Sequence, residues 1–197
     1  MVYGKDYVPC SVMFETSPAF ISGLIEDIEK LGSPELRKFG FVPSHTWLVT
    51  DQTTGIEAST EGVAYFPLTK YFNDPACKIV SATLKGITID TIHQMLSLAS
   101  VLAKDGLKYD YEGLVGDALE SLTGLDNLIP ELRKVADPLH TDHRLFCSAL
   151  VATLISSAPQ YAGLQLFKDY TVSKISPLLL FAELPFSEAK IIKEVEN

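Results

Sequence analysis

Cysteine is scarce in this chain, with three residues, Cys10, Cys77 and Cys147, among 197. They share no Cys-x-x-Cys spacing, and their odd number leaves at least one thiol unpaired. This pattern fits a reducing compartment better than a disulfide framework. The amino-terminal stretch MVYGKDYVPC also lacks the basic head and continuous apolar run of a secretory signal. We therefore expect a cytoplasmic protein.

Positive charge and long apolar runs are scarce as well. Lys and Arg number 16 against 25 Asp and Glu, which gives a formal net charge of -9. Such a chain repels a phosphate backbone, and no basic run with interleaved aromatics offsets this, so we expect no nucleic-acid partner. The longest charge-free stretch, Leu145 to Phe167, is interrupted by Ser, Gln, Gly and Pro, so we expect no membrane span.

What is present is a hydrophobic content of 47%, enough for one globular domain over residues 1–197 with a real core. We detect no internal repeat and no linker. Apolar periodicity and turn residues predict both helices and strands. One helix is predicted to start at Ser17-Pro18, and two more are predicted over Ile89 to Leu102 and Phe146 to Ser157. The predicted strands are Phe41 to Thr50, Ile56 to Ser59, Val63 to Phe66 and Lys78 to Leu84. The segment Leu178 to Ala182 is predicted to be a buried strand or the end of a helix.

Cys147 lies where the predicted apolar helix begins. A helix N-terminus stabilises a thiolate through its dipole and its free N–H groups, so this position suits a nucleophile. On residue type alone, however, the favoured interpretation of Cys147 is a small hydrophobic residue of a buried helix. Other parts of the sequence must decide between the two interpretations.

Four sequence elements, in order, carry a family resemblance. They are SHTWLVTD at Ser44 to Asp51, IEASTEGVAYFPLTKY at Ile56 to Tyr71, YDY at Tyr109 to Tyr111 and CSALV at Cys147 to Val151, with a late Ile175-Ser176-Pro177 step. Together they resemble the circularly permuted, NlpC-like papain-fold cysteine hydrolases and amidases, whose relatives include lecithin retinol acyltransferase-like proteins. The likeness begins near residue 41, and the bulky Thr46 and Trp47 depart from it.

The resemblance implies an α+β, papain-like fold in which an antiparallel sheet packs against helices and Cys147 occupies a helix N-terminus. It implies Cys147 as nucleophile and His45 as general base. Glu57, twelve residues after His45 across a predicted turn, is the candidate third member. Its side chain orients His45 in one hairpin register and is a solvated carboxylate in the other. The Cys147 N–H and a second, unidentified donor would form the oxyanion hole.

Further candidates come from neighbouring residues. Tyr109, Tyr111 and Trp47 are possible substrate contacts. His143 is a rival base if the helix starts earlier, although we expect it in the preceding loop. A zinc site could be drawn from the cluster Asp137, His140, Asp142, His143 and Cys147, but its spacing defines no geometry. We expect no metal and no cofactor.

The predicted activity is hydrolysis of an amide bond through a thioester, with a small peptide, isopeptide, peptidoglycan fragment or other acyl-amide as substrate. A wall substrate would require release by lysis or carrier-dependent export. A second hypothesis is a lipid-directed acyltransferase or thioesterase with an apolar channel lined by Trp47, Tyr65 and Phe66. A third is a non-catalytic binding protein whose Cys147 is buried or mis-aimed. The sequence leaves the oligomeric state open.

Overall fold

The computed structural model describes residues 1–16, 42–59, 62–104, 143–172 and 175–195, with side chains of the helix around Cys147 described from that residue onward. The strands are β1 (Val12–Thr16), β2 (His45–Val49), β3 (Thr54–Ser59), β4 (Gly62–Pro67), β5 (Lys78–Leu84) and β6 (Phe186–Lys193). The helices are α1 (Thr69–Phe72), α2 (Ile89–Lys104), α3 (His143–Ser156), α4 (Pro159–Ala162), α5 (Gln165–Asp169) and α6 (Pro177–Glu183). The described chain is therefore α+β.

The six strands form one antiparallel sheet in the order β4-β3-β2-β1-β5-β6. The predicted hairpin is present: β2 and β3 pair with Leu48 opposite Ile56 and Val49 opposite Gly55. Thr50 to Thr53 make the turn, where the Asp51 carboxylate accepts a 2.8 Å hydrogen bond from the Thr53 N–H. An Asp side chain that accepts a hydrogen bond from a backbone N–H two residues later favours a turn of this kind.

The sheet is covered on both faces, because alternate residues of each strand belong to two separate apolar clusters. The larger cluster joins one face to helices α2, α3 and α6, with strand residues such as Phe14 and Leu48 against helix residues such as Leu98, Leu150 and Phe181. The smaller cluster lies on the opposite face, beneath the N-terminal segment and α1. Its members are Tyr7, Met13, Trp47, Val49, Phe66, Leu68, Cys77 and Ile79, with Tyr71, Phe72 and Ile192 at its margin.

The structure resolves two local predictions, at the LLLFA segment and at Pro159. The LLLFA segment is helical and lies in α6, where the Ser176 hydroxyl caps the helix by accepting a 3.1 Å bond from the Leu179 N–H. Pro159 does end α3, but it also opens α4, since its fixed φ suits a first helical position. Strand β6 was not predicted. The helix predicted from Ser17 lies outside the described residues, and no described helix is long and apolar enough to cross a bilayer.

Candidate active site

His45 and Glu57 come together on one face of the sheet. The β2–β3 register, continued by one residue, sets Trp47 opposite Glu57, so His45 is the diagonal neighbour of Glu57 on the same face. The His45 Nε2 atom lies 3.0 Å from Glu57 Oε2. Of the two hairpin registers that the sequence allowed, the structure has the one in which the carboxylate faces the imidazole.

Glu57 is held by two further donors, both from α1. Lys70 Nζ donates to Oε1 and the Tyr71 hydroxyl donates to Oε2. Burial by itself raises the pKa of Glu57, but the hydrogen bonds from His45, Lys70 and Tyr71 and the Lys70 charge outweigh it and lower the pKa to about 2. The carboxylate is therefore ionised at any ordinary pH and is a permanent acceptor for the imidazole.

Helix α3 packs against β2 and β3 and supplies the third group. A side-chain hydrogen bond joins Cys147 to His45. Because Nε2 already contacts Glu57, this bond leaves Nδ1 for the cysteine. Burial lowers the pKa of His45, but the bonds to Cys147 and Glu57, with the nearby charges of Cys147 and Glu15, outweigh burial and raise it to about 10. His45 is therefore a ring held at both nitrogens and protonated at neutral pH.

The position of Cys147 within its helix differs from the prediction. Helix α3 begins at His143, so Cys147 is its fifth residue, and His143 is helical and not in the preceding loop. In a regular helix only the first four N–H groups lack an intrahelical acceptor. The Cys147 N–H lies beyond them, and the expected use of this group in an oxyanion hole is not supported. We placed the start of the helix at the beginning of the apolar run, but the helix begins before that run.

Cys147 is also fully buried, with none of its surface exposed, whereas the His45 side chain is 21% exposed. The imidazole thus reaches solvent and the thiol does not. A substrate carbonyl reaches the sulfur only when the groups that cover Cys147 move. This burial is one of the two features expected of a non-catalytic protein; the other, a mis-aimed thiol, is absent.

Trp47 is part of the core beneath the site, which corrects its prediction as a substrate contact. It is fully buried and stacks on Tyr71, with ring centroids 5.5 Å apart and planes inclined by 16°. The Phe66 ring meets both rings edge-on, 5.2 Å from Trp47 and 5.3 Å from Tyr71. These contacts fix the Tyr71 ring beside His45, at 5.6 Å. Trp47 therefore supports the site from below.

The apolar channel expected of a lipid-directed enzyme is not formed by the residues proposed for it. Tyr65 and Phe66 are successive residues of β4, so they point to opposite faces of the sheet. Phe66 packs on Trp47 in the smaller core, while Tyr65 is 45% exposed. Because the three side chains do not share one face, they cannot line a single channel.

Several predicted residues lie outside the described chain. Tyr109 and Tyr111 are among them, as are Asp137, His140 and Asp142 of the alternative zinc cluster. The described residues contain no group of three or more metal-ligating side chains placed to hold an ion.

Sequence reasoning missed three residues that touch the site: Lys70, Tyr71 and Glu15. Lys70 and Tyr71 end the IEASTEGVAYFPLTKY string, but periodicity gives no sign that they fold back over β3. Glu15 belongs to the first 40 residues, where the family resemblance is poor. The available signal was a carboxylate directly after the apolar residues Val12 to Phe14.

Neither of the other two thiols is hydrogen-bonded to a histidine in the described part of the chain. Cys10 is buried, and burial raises its pKa to about 12. Cys77 donates to Glu15 Oε1 at 3.1 Å, and burial together with that carboxylate raises its pKa. Both groups therefore remain protonated thiols at neutral pH.

No family model matches this chain, and no match is found among curated proteins or among solved structures.

Proposed function

We propose that this protein is a cysteine hydrolase that cleaves an amide bond through a thioester, with Cys147, His45 and Glu57 as nucleophile, base and orienting carboxylate. The observation that carries the proposal is the imidazole of His45, bonded on one side to Cys147 and on the other to Glu57. A nucleophile, a base and a third group that orients the base are the parts that covalent acyl transfer needs.

The first half-reaction follows from this geometry. The proton of the Cys147–His45 pair is held on His45, and the Cys147 sulfur attacks the substrate carbonyl carbon to form a tetrahedral adduct. As the adduct collapses, the C–N bond breaks and the amine leaves with the proton that His45 returns. Glu57 holds the ring orientation and stabilises the positive imidazolium while it carries the proton. The product that remains on the enzyme is a thioester of Cys147.

The second half-reaction reverses these roles. Neutral His45 takes a proton from water, the resulting hydroxide attacks the thioester carbonyl, and the C–S bond breaks. The carboxylic acid departs, and His45 keeps the proton that it took from water, which regenerates the starting Cys147–His45 pair. The substrate class follows from the family resemblance: a peptide, an isopeptide or a peptidoglycan stem peptide.

The pH dependence of cysteine alkylation tests the proposal. Native protein is treated with iodoacetamide across pH 5 to 10, and modification of each cysteine is quantified by mass spectrometry. We expect iodoacetamide to modify Cys147 selectively, faster than Cys10 and Cys77. His45→Ala should remove this advantage. Cys10 and Cys77 are internal controls, since their raised pKa values keep them inert.

Turnover is tested with Cys147→Ala and the matched control Cys10→Ala, assayed on fluorogenic peptidyl amides and on purified peptidoglycan stem peptides. Loss of product release in the Cys147 variant alone supports the hydrolase. An inert Cys147 in native protein, while Cys10 or Cys77 reacts, overturns it.

A second candidate, a non-catalytic binding protein on the same scaffold, is favoured by the complete burial of Cys147. It predicts that Cys147 resists iodoacetamide at every pH and that Cys147→Ala leaves binding of the same peptides unchanged. The alkylation experiment therefore separates the two candidates directly.

A further inference from the structure

Glu15 stands directly opposite His45 in the sheet. The β1–β2 register pairs Glu15 with His45, and directly opposed residues of antiparallel strands project from the same face, with Cβ atoms about 4.5–5.5 Å apart. The pairing is fixed on both sides of His45. The Ser44 hydroxyl donates to the Glu15 carbonyl at 3.3 Å, and the buried Thr46 hydroxyl donates to the Met13 carbonyl at 2.9 Å.

The Glu15 side chain is buried, with 7% of the residue exposed. A buried carboxylate is costly unless hydrogen bonds or an opposite charge compensate for its lost hydration. Its hydrogen bond comes from a neutral donor, the Cys77 thiol, at 3.1 Å from Oε1. In the described part of the chain no Lys or Arg forms an ion pair with Glu15. Directly opposite Glu15 in the sheet lies His45, which is a cation when its ring is protonated.

We infer that Glu15 is a second buried carboxylate of this site, which keeps His45 protonated through space while Glu57 orients the ring. The inference rests on the proposed function, because a protonated His45 matters only if Cys147 acts as the nucleophile. Glu15 is thus a positioning residue for charge and makes no contact with the reacting atoms.

The groups that face His45 from each neighbouring element support this assignment. They are Glu15 from β1, Glu57 from β3, Tyr71 from α1 and Cys147 from α3. Of the described cations nearby, Lys70 is bonded to the far oxygen of Glu57, and the Lys193 ammonium donates to the Tyr71 carbonyl at 3.4 Å. His45 therefore lies between two carboxylates, and both raise its pKa. Lys70 neutralises part of the Glu57 charge. The imidazolium of His45 is still favoured, because Glu15 supplies a second negative charge.

Cys77 has a defined part in this arrangement. Its thiol fixes the Glu15 carboxylate at one oxygen, and its raised pKa keeps the proton on sulfur at neutral pH. A hydroxyl could replace the thiol as donor, whereas an alanine could not. The role of Cys77 is to hold Glu15, which explains a buried thiol on the site's face of the sheet.

The experiment measures the pKa of His45 in the full-length protein by ¹H–¹⁵N NMR of its imidazole. The His45 signals are assigned among the four histidines as those missing in His45→Gln. In Glu15→Gln, which keeps the shape and an oxygen that can accept from Cys77, we expect the pKa of His45 to fall by about one unit or more. Glu188→Gln, at an exposed position on β6, is the matched control and should leave that pKa unchanged.

Two further variants keep the inference falsifiable. Cys77→Ser retains a donor and should leave the His45 pKa near the native value. If Glu15→Gln does not fold, Glu15→Asp shortens the side chain and keeps its charge, and should lower the His45 pKa by a smaller amount. A purely structural role for Glu15 would change the free energy of unfolding without moving this pKa.

The outcomes also distinguish failure of the role inferred for Glu15 from failure of the proposed hydrolase activity. An unchanged His45 pKa in both Glu15 variants overturns the role of Glu15, even if Cys147 reacts selectively in native protein. A fall in the pKa, together with an inert Cys147, supports the electrostatic role of Glu15 and removes the proposed hydrolysis.

Discussion

His45 and Tyr71 share a single oxygen of Glu57. The His45 Nε2 atom lies 3.0 Å from Oε2, and the Tyr71 hydroxyl donates to the same atom, while the two rings lie 5.6 Å apart. Helix α1 therefore reaches over β3 and adds a donor to the carboxylate that orients the histidine. This relationship makes Tyr71 the first residue outside the proposed triad to test.

Tyr71→Phe removes the shared donor and keeps the ring that stacks on Trp47. Glu57 loses one of three donors, so its pKa should rise, and the free energy of unfolding should fall by ~1–3 kcal/mol, the cost of losing a buried hydrogen bond to a charged group. Urea denaturation at pH 7 measures the loss. Tyr65→Phe, at a side chain that is 45% exposed, is the control and should be neutral. Equal stability of the two variants would contradict a bond of this kind.

Stability should depend on pH through both members of the His45–Glu57 pair, in opposite directions. The pKa of His45 is raised from 6.5 to about 10, so its contribution is complete below pH 6.5 and is lost as the pH rises through about 10. The pKa of Glu57 is lowered from 4.5 to about 2, so its contribution is complete above pH 4.5 and is lost as the pH falls through about 2.

Urea denaturation across this range checks the signs. The stability difference between native protein and His45→Gln should shrink toward pH 10, and that between native protein and Glu57→Gln should shrink toward pH 2. A difference that stays constant with pH in either comparison would show that the corresponding pKa is not shifted by folding.

Lys193→Met should loosen the site from a distance. Lys193 is 8% exposed, and its ammonium donates to the carbonyls of Asp74 and, at 3.4 Å, Tyr71, both at the C-terminal end of α1. Methionine fills similar space but removes the charged donor, so these carbonyls keep only their bonds from the backbone N–H groups of Cys77 and Asp74. We expect a loss of ~1–3 kcal/mol in unfolding free energy and slower alkylation of Cys147. Lys85→Met, at an exposed position, is the matched control. Loss of stability with unchanged alkylation would separate Lys193 from the site.

Gly55→Ala should disturb the aromatic support of Tyr71. A Cβ atom at Gly55 would lie 2.7 and 2.9 Å from two ring atoms of Phe66, so that ring has to move. Forcing extra volume into a packed core typically costs ~1–3 kcal/mol. At Gly163 a Cβ meets nothing within 4 Å, and Gly163→Ala is the control with little expected effect. Thermal unfolding of the two variants, compared with native protein, measures the difference.

Periodicity and turn chemistry predicted the β2–β3 hairpin, strands β4 and β5 and helix α2 close to their observed bounds. These elements succeed because each carries its own signal: alternation, an Asp-containing turn, or a helical apolar stripe. The N-terminal end of α3 was predicted too late in the chain, at Phe146, because the first residues of the helix, from His143, precede the strongest part of the apolar run. Strand β6 was missed because its half-exposed, charged sequence has no clear alternation.

The sequence by itself determined which residues could do chemistry: a thiol at Cys147, an imidazole at His45 and a carboxylate at Glu57. Only the tertiary structure decided which groups meet. A slip of one residue in β2–β3 would turn Glu57 to the other face, and the sequence pattern left both registers open. Glu15 and Tyr71 reach His45 from β1 and α1, because antiparallel pairing and packing bring distant segments together. Such contacts depend on the assembled sheet and leave no periodic trace in the chain.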